Sequence, residues 1–216
     1  MDSSDRLLAA VQLLLAEPAW AAEGEVPAAA RDTQNRESTV RAMETLFEKF
    51  YEAPCPESFR NALILPDRVD LRWRRESVAG EIKIGNPLAV RKRKLDESVL
   101  DWTLGGTTLR DTRILDDVVD YAGPLSVLFR IGAQVVEPTL YLFDSRELRK
   151  LELTYDAYLD WAAVSRGIVF WQYLFCDDTN TPDVAKALEA GLALLALAAP
   201  DERLEDLGER LRRRTR

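Results

Sequence analysis

Chemistry in this chain would fall to carboxylates, phenols, amines and two thiols, because its 216 residues include no histidine. That removes the Ser-His-Asp and Cys-His nucleophile systems, the His-Glu-x-x-His zinc helix and a histidine pH switch. Cys55 and Cys176 stand far apart with no C-x-x-C spacing, so they support neither a zinc ligand set nor a disulfide framework. Two reduced, partly buried thiols are expected. "CDDTNTPD", Cys176 to Asp183, gathers oxygens that hard cations favour. It lacks the EF-hand order of alternating acids, central Gly and closing Glu, so it reads as a solvated turn feeding a helix cap. "FDSRELRKLEL" offers Asp144, Glu147 and Glu152. A facing carboxylate pair could run glycosidase chemistry, but this spacing suits a turn after a strand. "RKRK", Arg91 to Lys94, lacks the interleaved aromatics of a single-strand binder and reads as an exposed loop. "IGNP" and "LGGTT" are too short to cradle a phosphate without a following Gly-Lys-Ser/Thr. No cofactor and no metal is expected.

The densest group is aromatic. "LTYDAYLDWAAVSRGIVFWQYLFCDD", Leu153 to Asp178, holds Tyr155, Tyr158, Trp161, Phe170, Trp171, Tyr173 and Phe175. In a helix from Thr154, Tyr155, Tyr158, Leu159 and Ala162 share one face, the ordinary signature of burial. "IVFWQYLF" is apolar on nearly every side, as buried segments are. The favoured reading is a core wall. The alternative is a pocket in a small-molecule-binding or enzymatic domain. There Trp171, Gln172 and Tyr173, with Asp177 and Asp178, would meet a ligand.

These groups need elements to hold them. "LLAAVQLLLA" is too short to span a bilayer and contains Gln12. The acidic "MDSSDR" before it does not fit a signal peptide. It reads as a helix from about Ser4 to Glu17, capped by Ser3 or Ser4, an arm (residues 1–17) that can detach, in a cytoplasmic protein. Residues 18–37, rich in Ala, Pro and Gly, read as a linker. "ESTVRAMETLFEKFYEA" is an amphipathic helix ended by Pro54 and Pro56. Residues 67–75 fit helix or strand equally, as do 168–175. "GEIKIGN" reads as a strand, "LGGTTL" as a hairpin tip and "TRILDDVVDYAG" as a helix stopped by Gly123-Pro124. "LSVLFRIG" and "TLYLFD" are strands. Helices from Thr154 and Thr181, then "DERLEDLGERLRRRTR", close the chain. Grouped helices and short strands without regular alternation give an α+β fold: a small, mostly antiparallel sheet packed on amphipathic helices. Residues 38–180 form the main domain and 181–216 its C-terminal helical extension.

Taken in order, "LPDRVDLRWRRESVAG" (Leu65 to Gly80) and "TLYLFDSRELRKLELTYDAYLDWA" (Thr139 to Ala162) are suggestive. Leu65-Pro66 would lead into a helix ending near Gly80, Tyr141 and Asp144 would mark a late strand, and Thr154, Tyr155, Tyr158 and Leu159 would open the closing helix. The pattern resembles the SUKH (Smi1/Knr4-like) superfamily over about residues 38–167. It departs in Val78-Ala79-Gly80, where Asn-Gly or Gly-Gly is usual, and in "RIGAQVVEP", where a Gly/Asp-rich stretch is usual. The resemblance implies a non-catalytic α+β protein-binding module. Many bacterial members look like cytoplasmic immunity proteins that neutralise a toxin, often a nuclease. A net charge of −8 suits steering onto a basic protein partner and disfavours nucleic acid or an anionic membrane. Trp73 and Trp102, outside the strongest core stripes, are the candidate anchors, with Asp116, Asp117 and Asp120 as acidic partner-binding candidates.

Overall fold

The computed structural model describes residues 2–25, 33–61, 68–85, 94–104, 106–118, 125–130, 138–144, 147–176 and 182–215. The fold is α+β, built from helices around antiparallel sheets. Helix α1 (Ser3–Ala16) begins where Asp2 accepts a hydrogen bond from the Asp5 backbone N–H, so Asp2, not a serine, is the cap. Its Leu7, Val11 and Leu14 recur at helical spacing and are fully buried. They pack in the main core beside the later helix from Tyr155. The sequence leaves open whether this N-terminal arm packs on the body; in the fold it does. The expected linker is also corrected. Pro18–Trp20 form a 3-10 turn that buries Trp20, and β1 (Glu23–Glu25) adds an edge to the first sheet. Helix α2 (Thr33–Tyr51) starts inside the range read as linker. The Trp20 ring anchors this stretch despite its Ala- and Pro-rich composition, because it is fully buried against the Trp73 indole. A short helix, α3 (Glu57–Asn61), follows the prolines.

Strand β2 (Arg68–Arg75) pairs antiparallel with β1 and with β3 (Val78–Gly85). Val69, Leu71 and Trp73 alternate into the core beside Ile82 and Ile84. Alternation thus decided the ambiguous segment in favour of strand. The helix that the SUKH-like pattern expects after Leu65-Pro66 is consequently a strand over Arg68–Arg75, and that piece of the resemblance does not hold. Trp73 lies opposite Gly80, where a Cβ would stand 2.3 Å from the indole. Only glycine leaves room for the ring. The indole N–H then donates to the Arg166 carbonyl at 2.7 Å.

A small hairpin, β4 (Thr103–Leu104) and β5 (Thr107–Thr108), precedes a four-stranded sheet in sequential order. Its strands are β6 (Thr112–Val118), β7 (Leu125–Arg130), β8 (Thr139–Phe143) and β9 (Leu148–Lys150). The sheet is covered on both faces. Val127, Phe129, Leu140 and Leu142 face the main core; Ile114, Leu128 and Phe143 face a second cluster with Leu109.

Strand β6 corrects the helix expected over "TRILDDVVDYAG". The register shifts between Ile114 and Asp116, a β-bulge. Beyond it Asp116 pairs with Val127 and Val118 with Leu125, so Leu115, Asp116 and Val118 all meet the main-core side. A bulge interrupts the two-residue period, and the resulting apolar spacing imitates a helix.

Helix α4 (Tyr155–Val164) has Thr154 at its N-cap, with the Thr154 hydroxyl on Asp156 rather than on the backbone. A 3-10 stretch covers Trp171–Phe175. Helices α5 (Pro182–Ala198) and α6 (Leu204–Arg214) close the chain, and their Leu188, Leu195, Leu207 and Leu211 join the same core. Asp160 ties the layers together, lying 3.3 Å from Arg6 of α1 and 3.5 Å from Arg203 before α6.

Candidate functional site

The aromatic segment is a wall of the core. Trp171 is 1% exposed, Gln172 is as deeply buried, and Leu174 and Phe175 are inaccessible. The rings contact one another: Tyr158 lies 4.9 Å from Trp171, Trp171 5.9 Å from Phe175, and Phe175 5.2 Å from Trp161, centroid to centroid. Helix α6 seals this wall from outside. Arg203 stacks over Trp161, Arg210 over Phe175, and Arg214 donates to the Leu174 carbonyl. Tyr173 is the exception, half-buried with its hydroxyl donating to Asp144 Oδ2 at 3.0 Å. Asp144 also receives Arg149, whose guanidinium lies over the Tyr173 ring. Burial, with Asp144 beside it, pushes the Tyr173 phenol up. Trp171 and Gln172 therefore do not line an opening with Tyr173, as the pocket reading expected. Asp177 and Asp178 lie outside the described residues.

The acidic candidates separate as well. The bulge in β6 turns Asp116 inward, where it is 1% exposed. Its Oδ1 accepts from the Lys83 backbone N–H at 2.8 Å and its Oδ2 from the Tyr158 hydroxyl at 2.5 Å. Gln172 Nε2 donates to that same phenol oxygen at 3.3 Å. Asp116 thus joins β3, β6, α4 and the 3-10 stretch in one buried polar network, and it is not a surface contact. Burial, then the Asp116 charge, raises the Tyr158 phenol well above its ordinary value. Nearby on β3, Glu81 and Lys83 are both buried and form an ion pair at 2.6 Å. Sequence reasoning missed this network. Its one signal was a pair of acids inside an otherwise apolar run. Asp117 is half-buried and accepts from Ser126 at 2.9 Å; Asp120 lies outside the described residues.

Of the two tryptophan anchors, Trp73 is fully buried, so it is corrected to a core residue fixed by Gly80 and Arg166. Trp102 is different. It is 43% exposed, one of three large apolar side chains so exposed among the described residues, with Leu13 and Leu197. Its backbone is held on both sides: its N–H donates to the Val99 carbonyl and its carbonyl accepts from Leu109. Asp96, Glu97, Asp101 and Asp111 are exposed in the same turns. Hydrogen bonds from the Ser98 side chain and backbone hold Asp96 below the usual carboxylate range, so it stays ionised. Asp101 pairs with Arg110. The result is an indole fixed by its backbone, half in water, among carboxylates.

An opening lies elsewhere. A half-open cleft of about 420 Å³ runs between the β2–β3 turn, residues 168–170 and α5. Two of its lips, Glu76 (φ 56°) and Phe170 (φ 73°), are non-glycine residues in the left-handed region, which costs about 1 kcal/mol or more each.

Among the described residues no group of three His, Cys, Asp or Glu side chains could hold a metal ion, and no helix is long and apolar enough to cross a membrane. Cys55 and Cys176 are buried thiols, Cys176 donating to the Gln172 carbonyl. No protein-family model matches the chain, and no curated protein or solved structure does.

Proposed function

We propose that the chain is a non-catalytic, cytoplasmic protein-binding module that docks a basic protein partner. In the SUKH-like form of this reading it is an immunity protein that neutralises a nuclease-type toxin. The observation that carries the reading is Trp102, an exposed ring on a hydrogen-bonded turn among Asp96, Glu97, Asp101 and Asp111. Tryptophan is the residue most enriched among interface anchors, because one ring buries a large area at little cost in rotamer entropy. The carboxylates supply the other half of recognition. They attract a cationic face over a Debye length of about 8 Å at physiological salt and speed encounter rather than hold the complex. A nuclease must carry such a cationic face to grip phosphates. The net charge of −8 extends the same attraction to longer range.

The test uses the protein encoded beside this gene, expressed in cells with and without the chain. The expected outcome is growth arrest relieved by the chain, with the two proteins co-eluting on size exclusion. Toxicity untouched by the chain, or a neighbour without toxicity, counts against the reading.

A further inference from the structure

We propose that the exposed face of α5 is the interface of a two-fold dimer, in which Leu197 of each copy enters the cleft of the other. The inference is independent of the Trp102 interface. From Ala190 to Pro200 no side chain is polar, so the second half of α5 is apolar all round. A helix of that kind is ordinarily buried on every side. Here one side is: Leu188, Gly191 and Leu195 are buried, with Gly191 against Ile168. On the other side Ala190, Ala193, Ala196 and Leu197 are exposed. Leu197, at 86%, is the most exposed large apolar side chain among the described residues. A contiguous apolar face of this kind marks an interaction site.

Two features name a second copy of the chain as the occupant. The first is a knob and a hole on one helix face. Ala190 and Leu197 are nearly two full turns apart, so they lie on the same side at a separation of about 10 Å. Ala190 lines the cleft of about 420 Å³ with Ala187, Ile168, Val169 and Phe170. That apolar lining suits a leucine side chain, and the alanines let a second helix approach closely. An antiparallel pairing whose axis passes between Ala193 and Leu194 sets each Leu197 over the other copy's Ala190. Each knob then fills the other copy's hole, and the contact closes at two chains, as an isologous interface does. The second feature is charge. The same axis brings Lys186, one turn before Ala190, opposite Asp201 and Glu202, which follow Leu197 in the chain. Lys186 and Glu202 are exposed and opposite in sign. A parallel pairing would set Lys186 on Lys186 and Leu197 on Leu197, with both clefts left open.

The experiment is sedimentation velocity of the full chain between about 1 and about 200 µM. Expected is a reversible shift from 24.4 kDa to twice that mass and no further, with Kd of about 20 µM or tighter. Leu197→Glu, at a position in water, should weaken association by about 30-fold or more without altering the melting curve. Ala190→Trp fills the hole while leaving Leu197 in place, and should weaken association to a similar extent. Lys186→Glu should weaken the dimer by about threefold or more, and adding Glu202→Lys should restore it. A chain that stays monomeric at about 200 µM overturns the proposal and leaves the face to a different protein. Association indifferent to Leu197→Glu or to Ala190→Trp overturns it, as does growth beyond two chains. A double charge variant that associates no better than Lys186→Glu alone overturns the antiparallel register.

Discussion

Raising the pH should destabilise this protein through the phenols of Tyr155 and Tyr158, by an amount that their burial fixes. Both hydroxyls lie in the core, and burial raises both phenol pKa values, with the Asp116 charge acting in the same direction on Tyr158. In the unfolded chain a tyrosine ionises near its ordinary value of about 10. Above that pH the unfolded state has released protons that the folded state still holds. Stability is therefore fully present below about pH 10 and falls as the pH rises further. Integrating from about pH 9 to about pH 11 gives a loss near 1.4 kcal/mol for each phenol that stays protonated in the fold, hence about 2.7 kcal/mol for the two. Lysines contribute to the measured drop, so the informative quantity is a difference between variants. Tyr155→Phe is the cleanest, because the Tyr155 hydroxyl has no hydrogen-bond partner among the described residues and little is lost at neutral pH. Urea unfolding followed by tryptophan fluorescence at the two pH values should show a drop smaller by about 1.4 kcal/mol in Tyr155→Phe than in the unaltered chain. An unchanged drop would mean that this phenol ionises within the fold and faces water. The aromatic segment would then be an opening, and the assignment of its rings to the core would be wrong.

Other perturbations follow from the same structure. Gly80→Ala places a methyl 2.3 Å from the Trp73 indole, and neither strand can yield without breaking the bond to Arg166; a loss of about 2–4 kcal/mol is expected in urea unfolding, and a loss under 0.5 kcal/mol would contradict the geometry. Tyr158→Phe removes one bond from the buried Asp116 carboxylate and one from Gln172, and should cost about 2–4 kcal/mol at neutral pH, measured as a shift of the urea midpoint. Glu76→Gly relieves a left-handed residue in an exposed turn and should raise stability by about 0.5–1 kcal/mol in thermal unfolding.

Much of the fold could be read from local pattern. Periodic apolar residues located α1, α2, α4, α5 and α6 to within a few positions. Alternating or aromatic-rich runs located β3, β7 and β8. What escaped was set by tertiary contact. The β6 bulge gave a strand the spacing of a helix, and it sent Asp116 into the core where the sequence placed it outside. Trp73 alternates with Val69 and Leu71 and could have been read as buried, but the ambiguous period left it open; Gly80 opposite was the missing signal. Trp20 turned a flexible-looking stretch into structure because a distant strand offers Trp73 as an edge-to-face partner at 5.0 Å. For the surface the sequence was more informative. Trp102 stands outside every apolar stripe, and it is the tryptophan left in water. The cleft at Phe170 depends on a turn, a loop and a helix meeting in space, and no local pattern encodes that.

The central claim, that binding rests on an exposed indole set among carboxylates, is tested most directly by calorimetry of the neighbouring-gene protein against the chain and its Trp102→Ala variant. The account predicts that the variant unfolds within about 0.5 kcal/mol of the unaltered chain yet binds at least 30-fold more weakly, a loss of about 2 kcal/mol. Affinity for the unaltered chain should also fall between about 50 and 150 mM salt. Equal affinity for the two proteins, or an affinity indifferent to salt, would contradict it.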